Sequence, residues 1–567
     1  MPRTHDNGRS ARRTVAAAVI AGILAGPFDA HARPPRASPA TASHPGGSGD
    51  DAVRARLEAH LAFLADDLLE GRFTGTPEYE IAARYVAAQL QQLGLRPGSA
   101  GGYLLRVPFL ASQLEPGSGR LELVAGGERR ELRWLEHYVL GPELAVESLD
   151  VEAPLVFVGH GVVAPGRGWD DYAGLDVRGK IAVVLSGAPA SFPSEERAFH
   201  SKGFRKEQVA AEHGAVAMLG IRSPVDVQRR PWQRYTMNAG RRPSMDWVGP
   251  DGRPHHATSV QGSATLSQGA AAEVFAAVGR KADEVIAAAM ERPGTGFELA
   301  ASARLASRSR HRRLESSNVA AVLPGSDPAL AGETVVYSAH LDHVGLGEEV
   351  DGDGIYNGFY DNAMGVALML ETARALAAAP QRPRRGVVFL AVTGEERGLI
   401  GSAQFAHHPP PEAGTMVANV KLDMPVFMER ADAVVAFGAE HSSLQPLVER
   451  AAGAAGFRIM PDPIPEEVIF VRSDQYSFVE VGVPAVYLVP GLAARARRGS
   501  GGAQSERSDF QEHHYHMPSD ELGLPVDWPS ALRFLDANAR LGREIADAPA
   551  RPTWNEGDFF GETFGGR

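Results

Sequence analysis

Apolar positions along this chain follow two periods, and the changes from one to the other mark its organisation. Over 52–70 ("AVRARLEAHLAFLADDLLE") and 77–95 ("PEYEIAARYVAAQLQQLGL") they recur every three to four residues, the spacing of a helix with one buried face. Pro77 suits the first turn of the second helix and Gly94 its end. From about 151 the texture changes to short apolar runs between glycine-rich turns, "APLVFVGHGVV", "GKIAVVL" and "GAVAMLG". These predict a small β-rich module with a helix near 204–213. Residues 225–265 are polar and broken by Trp and Pro, and no element is assigned there. From 316, strand and helix alternate: "ETVVYSA", the helix "NAMGVALMLETARALAAA", "RRGVVFLAV", a loop and helix, "MVANVKLD", a helix near 441–453, and "VPAVYLV". That order predicts an α/β fold, a mostly parallel mixed sheet flanked by helices, with the β-rich module inserted into it. Such sheets bind ligands at the carboxyl ends of their strands.

Composition adds boundaries and exclusions. At 567 residues the chain is long enough for more than one domain, and 44% hydrophobic with 22% charged residues is ordinary for a globular protein. The first 32 residues differ: Arg9, Arg12 and Arg13 precede an apolar run at 14–24, and "AHA" at 30–32 fits a small-residue cleavage site. This predicts a signal peptide at 1–32 and an exported protein, secreted or periplasmic. A Pro/Ser/Gly-rich flexible leader follows at 33–50. No later stretch is long and apolar enough to span a membrane. Cys is absent, which removes disulfides, thiolate metal ligands and a cysteine nucleophile. A net charge of −12 disfavours nucleic acid as a partner. The local exception, "RLASRSRHRRLE" at 304–315, has no aromatic platform beside it and reads as a solvated basic linker over 301–315. The remaining divisions are an N-terminal part of the main domain at 51–150, the inserted module at 151–300, the core at 316–540 and a C-terminal tail at 541–567.

The polar residues at the ends of the apolar strands carry the chemistry. His340 and Asp342 follow "TVVYSA"; in an extended segment they share a face, where Asp342 would accept the outer ring N–H of His340, as metal-bound histidines require. Glu395 and Glu396 leave "VVFLAV" together, and two carboxylates facing one pocket need a cation or a shared proton. One of them would ligate while the other serves as base. Asp423 closes "VANVKLD". His516, in "HHYHMPSD", is a further nitrogen ligand for which His513 and His514 compete. Nitrogen and oxygen donors without sulfur suit Zn²⁺, with Mn²⁺ or Co²⁺ as alternatives. Five such side chains exceed one tetrahedral ion and suit two ions sharing a carboxylate, for which Asp361 in "GFYDNAMG" is the natural bridge. No Gly-x-Ser-x-Gly elbow supports serine chemistry.

The blocks "SAHLDHVG", "YNGFYDNAMG", "TGEERGLIGS", "NVKLDM", "RSDQYSFVEVGVPAVYL" and "YHMPSD" together resemble the M28 family of dizinc aminopeptidases, over about 51–150 and 316–540. The stretch from 151 to about 300, with "GWDDYAGLDVRGKIAVVL" and "EHGAVAMLG", resembles a protease-associated domain. The resemblance implies hydrolysis of N-terminal peptide bonds in peptide or protein substrates, with two Zn²⁺ held by His340, Asp361, Glu396, Asp423 and His516. Asp361 bridges in that scheme, Glu395 is the general base, Asp342 partners His340 and Tyr515 steadies the oxyanion. A dizinc carboxypeptidase, a glutaminyl-cyclase-like enzyme and a non-catalytic binding protein are the competing readings. Two departures stand out. Gly358-Phe359-Tyr360-Asp361-Asn362 replaces the usual Gly-Ala-Asp-Asp-Asn, and Ser473-Asp474-Gln475 replaces Ser-Asp-His. The aromatic pair is expected to shape or shield the cleft without coordinating.

Overall fold

The computed structural model describes residues 49–236, 239–240, 243–463, 467, 469–490 and 509–566. The expected signal peptide lies outside these residues, as does the leader apart from Gly49 and Asp50, which begin the first helix.

Two sheets share one strand. Phe297–Leu323 runs for 27 residues. Its amino half pairs with Arg120–Ala125 and Ser148–Phe157 in one sheet; its carboxyl half pairs with Leu104–Leu114 and Gly386–Val392 in the other. Residues 301–315, expected as a linker, are the middle of this strand. Leu305, Ser307 and Ser309 are buried while Arg308 and Arg310 face solvent, the period-two alternation of a half-buried strand. The arginines read as a charge run because the inward residues between them are mostly small and polar.

In the main sheet Gly386–Val392, Glu333–His340, Thr415–Lys421 and Ala485–Pro490 are parallel neighbours in that order. Phe297–Leu323 flanks them antiparallel on one side and Ala433–Phe437 on the other. Val335, Tyr337, Val387 and Phe389 face helices Gly49–Leu64, Pro77–Gln92, Met364–Ala377 and Trp528–Asp547. Their neighbours Val336, Val388 and Leu390 face Phe405 and Phe478 of helices Ile400–His407 and Gln475–Val479. Burial on both faces is why these strands are continuous apolar runs.

The second sheet is the inserted module. Ser148–Phe157, Ile181–Leu185, Ala217–Ile221 and Ser263–Leu266 are parallel neighbours. Helices Gln268–Ala276 and Ala282–Glu291 cover one face and Gly203–Glu212 the other. Strands Arg120–Ala125, Glu128–Glu131 and Tyr138–Leu140 also belong here, so the module begins well before 151. The unassigned stretch 225–265 holds two short helices, Pro224–Arg229 and Trp232–Thr236, and a strand, Ser244–Trp247, that pairs with Leu104–Leu114 of the main sheet. The expected tail folds back instead: Trp554, Phe560 and Phe564 pack with Phe437, Phe470 and Tyr487.

Candidate metal centre

Three parallel strands end side by side, and the residues just beyond them converge. His340, Glu395, Glu396 and Asp423 line one cavity together with Asp361, Tyr515 and His516. His340 Nε2 lies 3.0 Å from Asp423 Oδ1 and 3.2 Å from Asp361 Oδ1. The other oxygen of Asp361, Oδ2, is 3.2 Å from His516 Nε2, which is also 3.2 Å from Glu396 Oε1. Atoms able to ligate a metal fall here into two groups, His340/Glu395/Asp423 and His343/Asp361/Glu396, each within 4.8 Å. Asp361 thus presents one oxygen to each side.

The loop that carries Asp361 is held from three directions. Gly358 adopts φ 63°, and a Cβ there would meet the Asp361 carbonyl oxygen at 2.1 Å, so only glycine fits. Asp520 accepts the backbone N–H groups of Tyr360 and Asp361 at 2.9 and 3.0 Å. The buried Arg72 donates to the carbonyls of Leu341, Asn357 and Gly358, tying this loop to the one after His340. The Asp361–Asn362 peptide is cis. Asp423 accepts a 2.5 Å bond from Ser473 Oγ, and behind it Lys421 forms a fully buried ion pair with Asp474. Asp342 corrects its expected contact. The His340 ring meets the backbone carbonyl of Asp342 at 3.0 Å, while the Asp342 carboxylate accepts the backbone N–H groups of Glu395 and Glu396 at 3.1 and 3.3 Å. Its side chain positions the glutamate pair instead of the histidine tautomer.

Environment separates the two adjacent glutamates. Burial raises the Glu395 pKa; His340 offsets this in part, and Asp474, Asp423 and Glu396 push it further, well above the usual carboxylate range. Burial acts on Glu396 too, but His516 and His343 outweigh it and hold the group well below that range. Asp361 is likewise held low, by His340, His343 and His516 against burial and Glu396. The two adjacent carboxyl groups are thus pushed in opposite directions by their surroundings.

A metal fits this set. The donors are nitrogen and oxygen, four carboxylates crowd one cavity, and Nε2 of the buried His343 lacks a hydrogen-bond partner while its Nδ1 lies 2.9 Å from Glu396 Oε1. The sequence pattern "HLDH" points to His340 and gives no separate signal for His343, whose ring competes with His516 for the same carboxylates. Tyr515 stacks on His516 with centroids 3.9 Å apart.

The aromatic pair Phe359–Tyr360 does not line the cavity. Tyr360 is fully buried behind it, packs on Phe510 and donates from its hydroxyl to the Pro525 carbonyl. Gln475 is also turned into the core, bonded to the Phe470 carbonyl. Tyr360→Asp is therefore expected to act on stability and not on substrate kinetics, costing at least about 3–5 kcal/mol through a lost ring and an unpaired buried charge. Denaturant unfolding measures it; an unfolding midpoint close to that of the unmodified chain would contradict this packing.

Residues 318–541 match the family model described as peptidase family M28. A probable zinc metalloprotease of Pyricularia oryzae is 42% identical over 91 residues, and one of Pyrenophora tritici-repentis is 37% identical over 75. These alignments cover 16% and 13% of this chain and 17% of each relative, so the chain matches under a fifth of their length. Among solved structures, an aminopeptidase from Aneurinibacillus sp. strain AM-1 is similar with a TM-score of 0.50 and 20% identity, over 88% of this chain and 94% of that one. At that identity the likeness bears on the fold.

Proposed function

We propose, from the match of residues 318–541 to the peptidase family M28 model, that the chain is a zinc-dependent aminopeptidase working through two ions. The observation that carries this reading is Asp361, whose two carboxylate oxygens face histidines on opposite sides, His340 and His516, each at 3.2 Å. His340 and Asp423 would hold one ion, Glu396 and His516 the other, and Asp361 both, with His343 the nearest further nitrogen. Bound zinc supplies a Lewis acid that makes water nucleophilic at neutral pH and polarises a carbonyl. Glu395 takes the proton of the attacking water and returns it to the leaving amine. Asp342 aims that glutamate through its backbone N–H. Burial keeps the Tyr515 hydroxyl protonated, so it can donate to charge developing on the carbonyl oxygen. The inserted module, read as a protease-associated-like domain, roofs the cleft; the pattern of the first 32 residues supports export.

The test compares peptide ends. Zinc-loaded protein is expected to release the first amino acid from C-terminally amidated peptides and to leave N-acetylated peptides intact. Release from the carboxyl end would support the carboxypeptidase reading, and ring closure of an N-terminal glutamine without chain cleavage the cyclase reading; either result overturns the proposal.

A further inference from the structure

The cavity that opens from the metal centre holds about 1280 Å³ and is walled on its far side by the inserted module. This wall opposes the charge of the chain. The whole protein carries −12, yet outside the metal centre the cavity is lined by eight arginines against three carboxylates, Asp226, Glu429 and Glu467. Those acids are already engaged. Glu467 lies 2.5 Å from Arg229 and 3.3 Å from Arg472, Asp226 is bonded to Ser186, and Glu429 has a partner of its own. Arg197, Arg230, Arg234 and Arg397 line the cavity with no carboxylate in ion-pair range among the described residues.

Local structure presents these charges to the cleft. Arg222, 5% exposed, donates to the carbonyls of Asp226 and Arg230 and lies 4.6 Å over the Tyr235 ring. It thereby fixes the turn between helices Pro224–Arg229 and Trp232–Thr236; Arg230 lies in that turn, exposed, its guanidinium donating to the Arg234 carbonyl and 5.5 Å from the Tyr235 ring, and Arg234 is an exposed residue of the second helix. Arg230 and Arg472 are both near enough to Tyr515 to interact with it electrostatically. The arginine wall thus begins within one side chain of the reacting centre. Guanidinium groups that outnumber the acids around them repel one another, and their fork of donors matches a carboxylate.

We propose that this wall is a subsite for substrate carboxylates, so that the protein acts on short acidic peptides; the inference rests on the peptidase reading above. The carboxylate comes either from Asp or Glu side chains after the first residue or from the free carboxyl end of a short peptide.

Four peptides separate the sources: Leu-Glu-Ala and Leu-Lys-Ala, each with a free and an amidated carboxyl end. The expected kcat/KM order favours Glu over Lys by about tenfold or more, the factor one charge-assisted contact supplies. A free-over-amide preference of that size assigns the subsite to the carboxyl end. Raising the salt concentration should shrink both preferences. The double variant Arg230→Glu/Arg234→Glu should reverse the Glu/Lys ratio. The ratio within each protein is the readout, so general losses cancel, and Arg230→Gln/Arg234→Gln, which should level it, guards against misfolding of the reversed variant. Equal rates on all four peptides, or a ratio that neither variant moves, overturns the subsite. If no peptide is cleaved, the peptidase reading fails separately. Calorimetric titration with the non-hydrolysable reduced-amide analogue of Leu-Glu-Ala then still tests the wall, since binding no tighter than its lysine counterpart sinks it.

Discussion

Glu395→Gln is expected to lower kcat for peptide hydrolysis by about 10²–10⁴-fold, the range for losing a positioned general base, while zinc content stays that of the unmodified protein. The substitution keeps size and shape, and the backbone N–H that bonds Asp342 is untouched. What it removes is the proton acceptor. The metal measurement matters because the geometry admits a rival: Glu395 groups with His340 and Asp423 within 4.8 Å and would itself ligate under that alternative. Activity lost together with zinc would make Glu395 a ligand. Activity lost by less than about tenfold, with zinc retained, would end its assignment as base.

Asp361→Asn is the second large effect. The bonds that hold the loop run from backbone N–H groups to Asp520 and from Arg72 to backbone carbonyls, so an isosteric amide leaves them in place. The amide has one weaker acceptor where the carboxylate offered two charged oxygens, and it no longer balances His340 and His516. Zinc affinity should fall by more than the ~10–100-fold typical of losing an outer partner, with turnover falling in step. Equilibrium dialysis against a competing chelator measures it. A variant that retains the full zinc complement would rule out the bridge.

The main sheet and the acid and histidine positions at its strand ends were legible because burial on both faces leaves uninterrupted apolar runs, and a polar residue closing such a run stands out. His340, Glu395, Glu396 and Asp423 were found in that way. His516 was one of three histidines in a short stretch, chosen among them by the family resemblance, and it is the one that approaches Asp361 and Glu396 in space. Contacts made by long-range packing were not legible. His343 is three residues beyond His340 yet joins the opposite group of ligating atoms, because the chain turns between them. Tyr360 sits one residue from Asp361 but points into the core, since its direction is set by Phe510 and Pro525, far away in sequence. The long strand Phe297–Leu323 was hidden because serine, alanine and arginine alternate there where a strand usually alternates large apolar with polar residues. The same arginine-rich composition that obscured an element in that strand reappears in the module's cavity wall, where position relative to the metal centre gives it meaning.

The proposed chemistry depends on a pair of ions sharing one carboxylate. Zinc titration of the chelator-stripped full chain, followed by metal content per chain and by release of the first amino acid from an amidated peptide, tests it most directly. Saturation is expected at two zinc ions per chain, with no release from the stripped protein. Saturation at one ion, or undiminished release in the presence of chelator, would contradict it.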